Sequence, residues 1–164
     1  MEILQRYLAL GWFSGNPLEL PRSSGFFQKN IWFYVLIELF IQINVTDPFE
    51  AILEVGIETT LTLSFVAVLL LYKKALAGYL PAATSFLVCE NIVAAFGLPV
   101  VIWLTTTDNL ISYFVLLALI LWDVAMISYL IKRILVINGF SAFFLSVVYF
   151  FATYVGAFMI MLVL

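Results

Sequence analysis

The chain has 164 residues, of which 65% are apolar and only 10% charged, with seven basic and ten acidic side chains and a net charge of −3. Soluble domains run at roughly 45–50% apolar and roughly 25% charged. So few charges cannot coat a compact domain of this size, which excludes a water-soluble enzyme and a disordered tail. The acidic balance leaves no basic surface for nucleic acid. Lipid must be the solvent over most of the length.

Histidine is absent and Cys89 is the single cysteine. No intrachain disulfide can form, so the oxidation state of the compartment is unreadable. Zinc sites, His-ligated haem, Cys-ligated iron–sulfur clusters and Ser–His–Asp or Cys–His catalysis all lack their residues within this chain. The expectation is a protein with no bound cofactor or metal and no enzymatic reaction.

Residues 1–25 form a lead-in. Ile3, Leu4, Tyr7, Leu8 and Trp12 recur at helical spacing, with Glu2, Gln5 and Arg6 on the opposite side. This is the pattern of a short amphipathic helix lying in the headgroup plane, with Trp12 as an interfacial anchor. A signal peptide is the alternative, but the apolar stretch 7–13 is short and no small-x-small cleavage pattern follows. The helix serves either as a membrane-lying lead-in or as an arm for docking a partner. Asn16-Pro17 and Leu20-Pro21 then break the chain.

Residues 26–164 make up an all-α polytopic transmembrane bundle with about five spanning helices. The expected spans are 26–45, 55–72, 80–104, 109–131 and 140–164, since a crossing takes about 20 apolar residues. The first carries Lys29, Glu38, Gln42 and Asn44. Three or four crossings, with that first segment along the surface, is the competing count. A strand-based barrel fails because Leu69-Leu70-Leu71 and 115–121 are unbroken apolar runs rather than alternating ones. Asp47 can cap a helix that Pro48 starts, with Glu50 and Glu54 in its first turns, and Asp108 can cap the fourth span. Glu58, near the start of the second span, is expected to be a solvated helix end. Asp47, Glu50, Glu54 and Glu58 follow helical spacing, so they form either a solvated acidic face or a divalent-cation site on the outer side.

With five crossings the basic residues Arg6, Arg22, Lys29, Lys73, Lys74, Lys132 and Arg133 all fall on one side. Asp47, Glu50, Glu54 and Asp108 fall on the other. That is the positive-inside pattern, giving a cytoplasmic N-terminus and a C-terminus outside. Lys73, Lys74, Lys132 and Arg133 are candidates for contact with anionic lipid headgroups.

Carboxyls inside apolar helices are the most pointed signal. Glu38 lies nine residues past Lys29, Glu90 ten past Leu80, and Asp123 nine before Lys132. At 1.5 Å per residue all three sit ~13–15 Å from the basic edge, near the middle of a ~30 Å core. An ionised acid there costs roughly 2.5–3.5 kcal/mol. The three are therefore expected to be at least partly protonated and bonded to Gln42, Asn91, Ser85, Ser128 or Tyr129. They form a proton or cation site, an interhelical hydrogen-bond glue, or a contact for basic residues of another subunit. Pro99 should kink the third span, and Thr153, Gly156 and Ala157 favour close packing of the last. Phe143, Phe144, Tyr149, Phe150, Phe151 and Tyr154 make that last helix aromatic, as suits a lipid-facing or subunit-facing surface.

The run Leu69-Leu70-Leu71-Tyr72-Lys73-Lys74, a short Gly-containing loop, and Phe96-Gly97-Leu98-Pro99-Val100 together resemble the Yip family of polytopic membrane proteins and its bacterial relatives. The layout of five helices behind an amphipathic lead-in resembles them too. The Asp-Leu-Tyr-Gly-Pro-type signature of eukaryotic members is absent. The resemblance implies a multi-pass protein of a bacterial inner membrane without assigned chemistry. The expected role is a non-catalytic subunit or scaffold of a larger membrane assembly, in contact with the lipid bilayer and with other subunits or further copies of itself. The alternative is a small oligomeric proton or cation transporter or channel built on Glu38, Glu90 and Asp123.

Overall fold

The computed structural model describes residues 2–107 and 109–163. Every regular element among them is helical. Helix α1 (Glu2–Leu8) leads through two 3₁₀ turns, Ala9–Trp12 and Pro17–Glu19, into α2 (Ser24–Ile43). Then come α3 (Pro48–Tyr72), α4 (Tyr79–Thr106) and α5 (Leu110–Leu135). The last rod is α6 (Gly139–Phe150), a π-helical turn (Phe151–Val155) and α7 (Gly156–Met161). Four rods are long and apolar enough to cross a membrane: Pro48–Tyr72, Leu76–Thr106, Leu110–Leu135 and Gly139–Met161. A chain solvated by lipid has no water to satisfy its backbone, and helices close their own hydrogen bonds.

Local chemistry sets the helix ends. Asp47 accepts a hydrogen bond from the Phe49 N–H at 3.0 Å, and Pro48, which has no N–H to satisfy, occupies the first position of α3. The helix therefore begins where the Asp47–Pro48 pair places it, seven residues before the apolar span expected from 55. Asn109 caps α5 through the Ile111 N–H at 3.0 Å, and Asn138 caps α6 through the Ser141 N–H at 2.8 Å. Asp108, expected to cap α5, lies outside the described residues. Lys132 and Arg133 end α5, where positive charge complements the helix dipole. Pro99 stands inside α4, which continues past it to Thr106.

Helix α4 is the centre. Its residues from Pro81 to Asn91 are buried on every face, between α2 on one flank and α5 on the other. Helix α6 packs on α5, and α3 closes the back against α2, the π turn and α7. Gly156 brings the last rod close to Leu61 of α3, while Thr153 and Ala157 are buried beside it.

The lead-in folds back onto this bundle. Tyr7 and Leu10 are buried in the main core, and the Tyr7 hydroxyl donates to the Pro21 carbonyl at 2.9 Å. The Tyr129 hydroxyl of α5 donates to the Gly15 carbonyl at 2.6 Å, and Leu18 presses on Gly78 in the α3–α4 turn. The lead-in, the α3–α4 turn and the end of α5 thus share one end of the bundle, which carries Lys73, Lys74, Lys132 and Arg133. From that end the 20-residue α2 runs toward the opposite one. At the far end the Gln42 side chain donates to the Glu54 carboxylate at the head of α3.

The core position of Leu10 makes the lead-in part of the folded unit. Leu10→Ala is expected to destabilise the protein by about 2–5 kcal/mol, whereas Trp12→Ala, at a 76% exposed position, should change it little. Thermal unfolding in mild detergent measures both.

Candidate functional site

The three carboxyls expected at a common depth come from three helices. Glu38 sits on α2, Glu90 on α4 and Asp123 on α5, and all three line one cavity of about 330 Å³. No basic side chain lines it. Glu90 is 2% exposed and Asp123 5%. Gly97 opens space on the α4 wall, where an added Cβ would meet nothing within 4 Å. From the carboxyls the lining runs to Ile41 on α2, to Val101 on α4 and back to Leu116 on α5. Each of those steps leads away from the basic end. Toward the basic end the interior is filled by Phe86, Met126, Ile127 and Leu130, all 0% exposed.

The hydrogen bonding around Glu90 differs from the expected one. Tyr149 donates its hydroxyl to Glu90 Oε1 at 2.7 Å, and Tyr154 donates to Oε2 at 3.3 Å. Thr62 of α3 adds a 3.2 Å contact to the Tyr149 hydroxyl. Four of the five side chains expected to serve the carboxyls are engaged elsewhere: Gln42 with Glu54, Asn91 with Asn30, Ser85 with Pro81 and Tyr129 with Gly15. Asp123 Oδ1 is buried without any hydrogen-bond partner. Asn91 Oδ1 is the other such atom, and Asn91 lines a separate hollow beneath the lead-in, walled by Trp12, Phe96 and Trp122.

Two sequence expectations are corrected. Glu58 is not a solvated helix end: it is 7% exposed. Because α3 starts at Pro48, Glu58 lies ten residues inside it, ~15 Å from its head. Tyr149 and Tyr154 do not share the outer aromatic face with Phe143, Phe144 and Phe151, which are exposed; both turn inward to Glu90. Nothing in a list of aromatic residues distinguishes these two phenols, although a hydroxyl within an apolar helix does ask for a partner.

Lys74, Lys132 and Arg133 are exposed and Lys73 partly so. Arg133 stacks over Tyr129, 5.2 Å from its ring centre, and donates from Nε to its hydroxyl at 3.2 Å. Among the described residues no three acidic or cysteine side chains group closely enough to hold a metal ion, including Asp47, Glu50, Glu54 and Glu58. Comparison with protein-family models, curated proteins and solved structures returns no match.

The Tyr149–Glu90 bond joins the last rod to the central helix in an apolar interior. Tyr149→Phe is expected to cost about 1–3 kcal/mol by leaving a buried acceptor short of a donor. Chemical denaturation in detergent reads this out, with Phe144→Leu on the exposed face as the silent control.

Proposed function

We propose that this protein is a five-span membrane protein that takes up and releases protons at the carboxyl cluster of Glu38, Glu90 and Asp123. One observation carries the proposal: three carboxyls from three helices line a single cavity that holds no counter-charge. Ionisable groups this deep in a spanning bundle are expensive to keep, and proton relays are a principal use for them. A proton needs only one oxygen. A metal ion needs several converging ligands, and the acidic side chains do not gather into such a group among the described residues. The cavity is large enough for several waters, which can carry protons to the carboxyls.

The fifth crossing is α2. Its start follows the lead-in and its end reaches Glu54, six residues into α3, and its 20 residues rise ~30 Å, enough for a hydrocarbon core. The basic residues gathered at one end support a cytoplasmic N-terminus and an outer C-terminus. The cavity then faces outward, and a proton passes inward only when the packed core beneath it opens. The lead-in lies at the cytoplasmic interface, and Lys73, Lys74, Lys132 and Arg133 meet anionic headgroups there. The Yip-type layout supports placement in a bacterial inner membrane.

A role as a subunit or scaffold in a larger assembly is the second reading. The broad exposed apolar face of α5 and α6, including Leu117, Leu121, Phe144 and Phe151, favours it. Such a face is covered by acyl chains or by a neighbouring helix.

Proteoliposomes containing a pH-sensitive dye test the proposal. The wild-type chain is expected to collapse an imposed proton gradient faster than protein-free vesicles do. Asp123→Asn with Glu90→Gln should return the rate to that of empty vesicles, and Lys74→Gln should leave it unchanged. Equal rates for wild type and the double variant would overturn the proposal. Cysteine labelling should find positions 74 and 132 reactive from the same side of the membrane; opposite sides would remove one crossing.

A further inference from the structure

The carboxyls of the cavity are not equivalent, and the π turn Phe151–Val155 is what separates them. On an α-helix successive residues are about 100° apart, so two residues five apart point about 140° away from each other. Tyr149 and Tyr154 are five apart and both reach Glu90. The π turn closes its hydrogen bonds over five residues instead of four, which swings Tyr154 back onto the face of Tyr149. Such turns inside α-helices occur often at functional sites.

The two rings are locked in place. Tyr149 packs edge-on against Phe65 and Phe86, at 5.1 and 5.5 Å between ring centres, and its hydroxyl also meets Thr62. Tyr154 stacks on Phe150 at 5.7 Å with the ring planes 7° apart. Glu90 thus has a donor on each oxygen, an arrangement that suits an acceptor-only carboxylate. Asp123 stands opposite with Oδ1 unserved. The titratable groups around Asp123 are Glu90 and Cys89 from α4, Glu38 and Tyr34 from α2, and Tyr154 from the π turn. None is basic.

We propose that the π turn divides the labour of the cavity: Tyr149 and Tyr154 hold Glu90 as a fixed acceptor, and Asp123 is the carboxyl that trades protons with water. This rests on the proton-binding reading above. In the uptake step a hydronium ion in the cavity gives its proton to a carboxylate oxygen of Asp123. One O–H bond forms on the acid as one breaks on hydronium, leaving water and a neutral carboxyl. Release reverses the step. Two carboxylates sharing a small cavity repel each other, so one held permanently by donors leaves its neighbour as the site of exchange. Tyr149 and Tyr154 are positioning residues in this scheme, acting through Glu90.

Infrared difference spectra of the full chain in lipid vesicles, recorded between two pH values, read the carbonyl band of a protonated carboxyl directly. The expected result is a titrating band that is lost in Asp123→Asn and kept in Glu90→Gln and in Glu38→Gln. In the Tyr149→Phe/Tyr154→Phe variant a second band should appear, because Glu90 released from its donors joins the exchange. Should the double variant not fold, Tyr154→Phe alone removes one donor and is expected to give the same second band at lower intensity. A band that survives Asp123→Asn and vanishes in Glu90→Gln or in Glu38→Gln would overturn this inference while leaving proton binding standing. A tyrosine variant with the wild-type spectrum would overturn it as well. No titrating carboxyl band in the wild type would end the proton-binding reading itself.

Discussion

The cost of keeping acids in an apolar bundle shapes the rest of the interior. Each ionised carboxyl at mid-membrane costs roughly 2.5–3.5 kcal/mol on insertion scales, and the chain places Glu58, Glu90 and Asp123 on helices long and apolar enough to cross, with Glu38 of α2 beside Glu90 and Asp123 in a cavity that no basic side chain lines. The bundle answers unevenly. Glu90 receives two phenol donors, with Thr62 behind one of them. Asp123 keeps an oxygen with no donor at all. A fold selected only for stability would replace Asp123 with an apolar residue, since an unserved buried polar group is a standing cost. Its presence is the physical reason to look for exchange with water rather than for packing.

Helix α4 makes that arrangement possible. It is covered on all sides over Pro81–Asn91, so Glu90 can be reached from α2, α5 and the last rod at once. The small residues Ala82, Ala83 and Ala94 let neighbouring helices approach, and Gly97 leaves the gap that becomes the cavity wall. The lead-in seals the opposite end by burying Tyr7 and Leu10 against the core. One end of the bundle is thereby closed by hydrocarbon and aromatic side chains, while the other admits a cavity down to the acids. That asymmetry gives the site a side.

Much of this is legible in the sequence. Rod positions follow from apolar run length, and the common depth of Glu38, Glu90 and Asp123 follows from counting residues to the nearest basic flank; the structure brings those three to one cavity. Glu58 reads as a helix end only when depth is counted from the apolar span at 55, where hydropathy rises; counted from the Asp47–Pro48 cap, which the sequence also shows, it lies ten residues inside α3. Capping chemistry marks where a helix starts; hydropathy marks only where it turns apolar. The far end of α2 carries the same lesson, because the Gln42–Glu54 link joins two residues that look merely polar in a list.

The phenol pair was beyond reach because pattern reading assumes one helical period throughout. At a uniform 3.6 residues per turn, Tyr149 falls on the face of Thr153 and Gly156, and Tyr154 falls well away from them. A single extra residue in the turn changes every direction after it by about 100°. That shift also turns Ala157 inward, where it is 0% exposed, while Gly156 lies close to Leu61 of α3. The π turn therefore does two things with one irregularity: it buries Ala157 in the bundle and aims a second hydroxyl at Glu90. The backbone irregularity is held because both gains depend on it, with the Tyr154 ring stacked on Phe150 and the Thr153 hydroxyl bonded to the Tyr149 carbonyl at 2.9 Å.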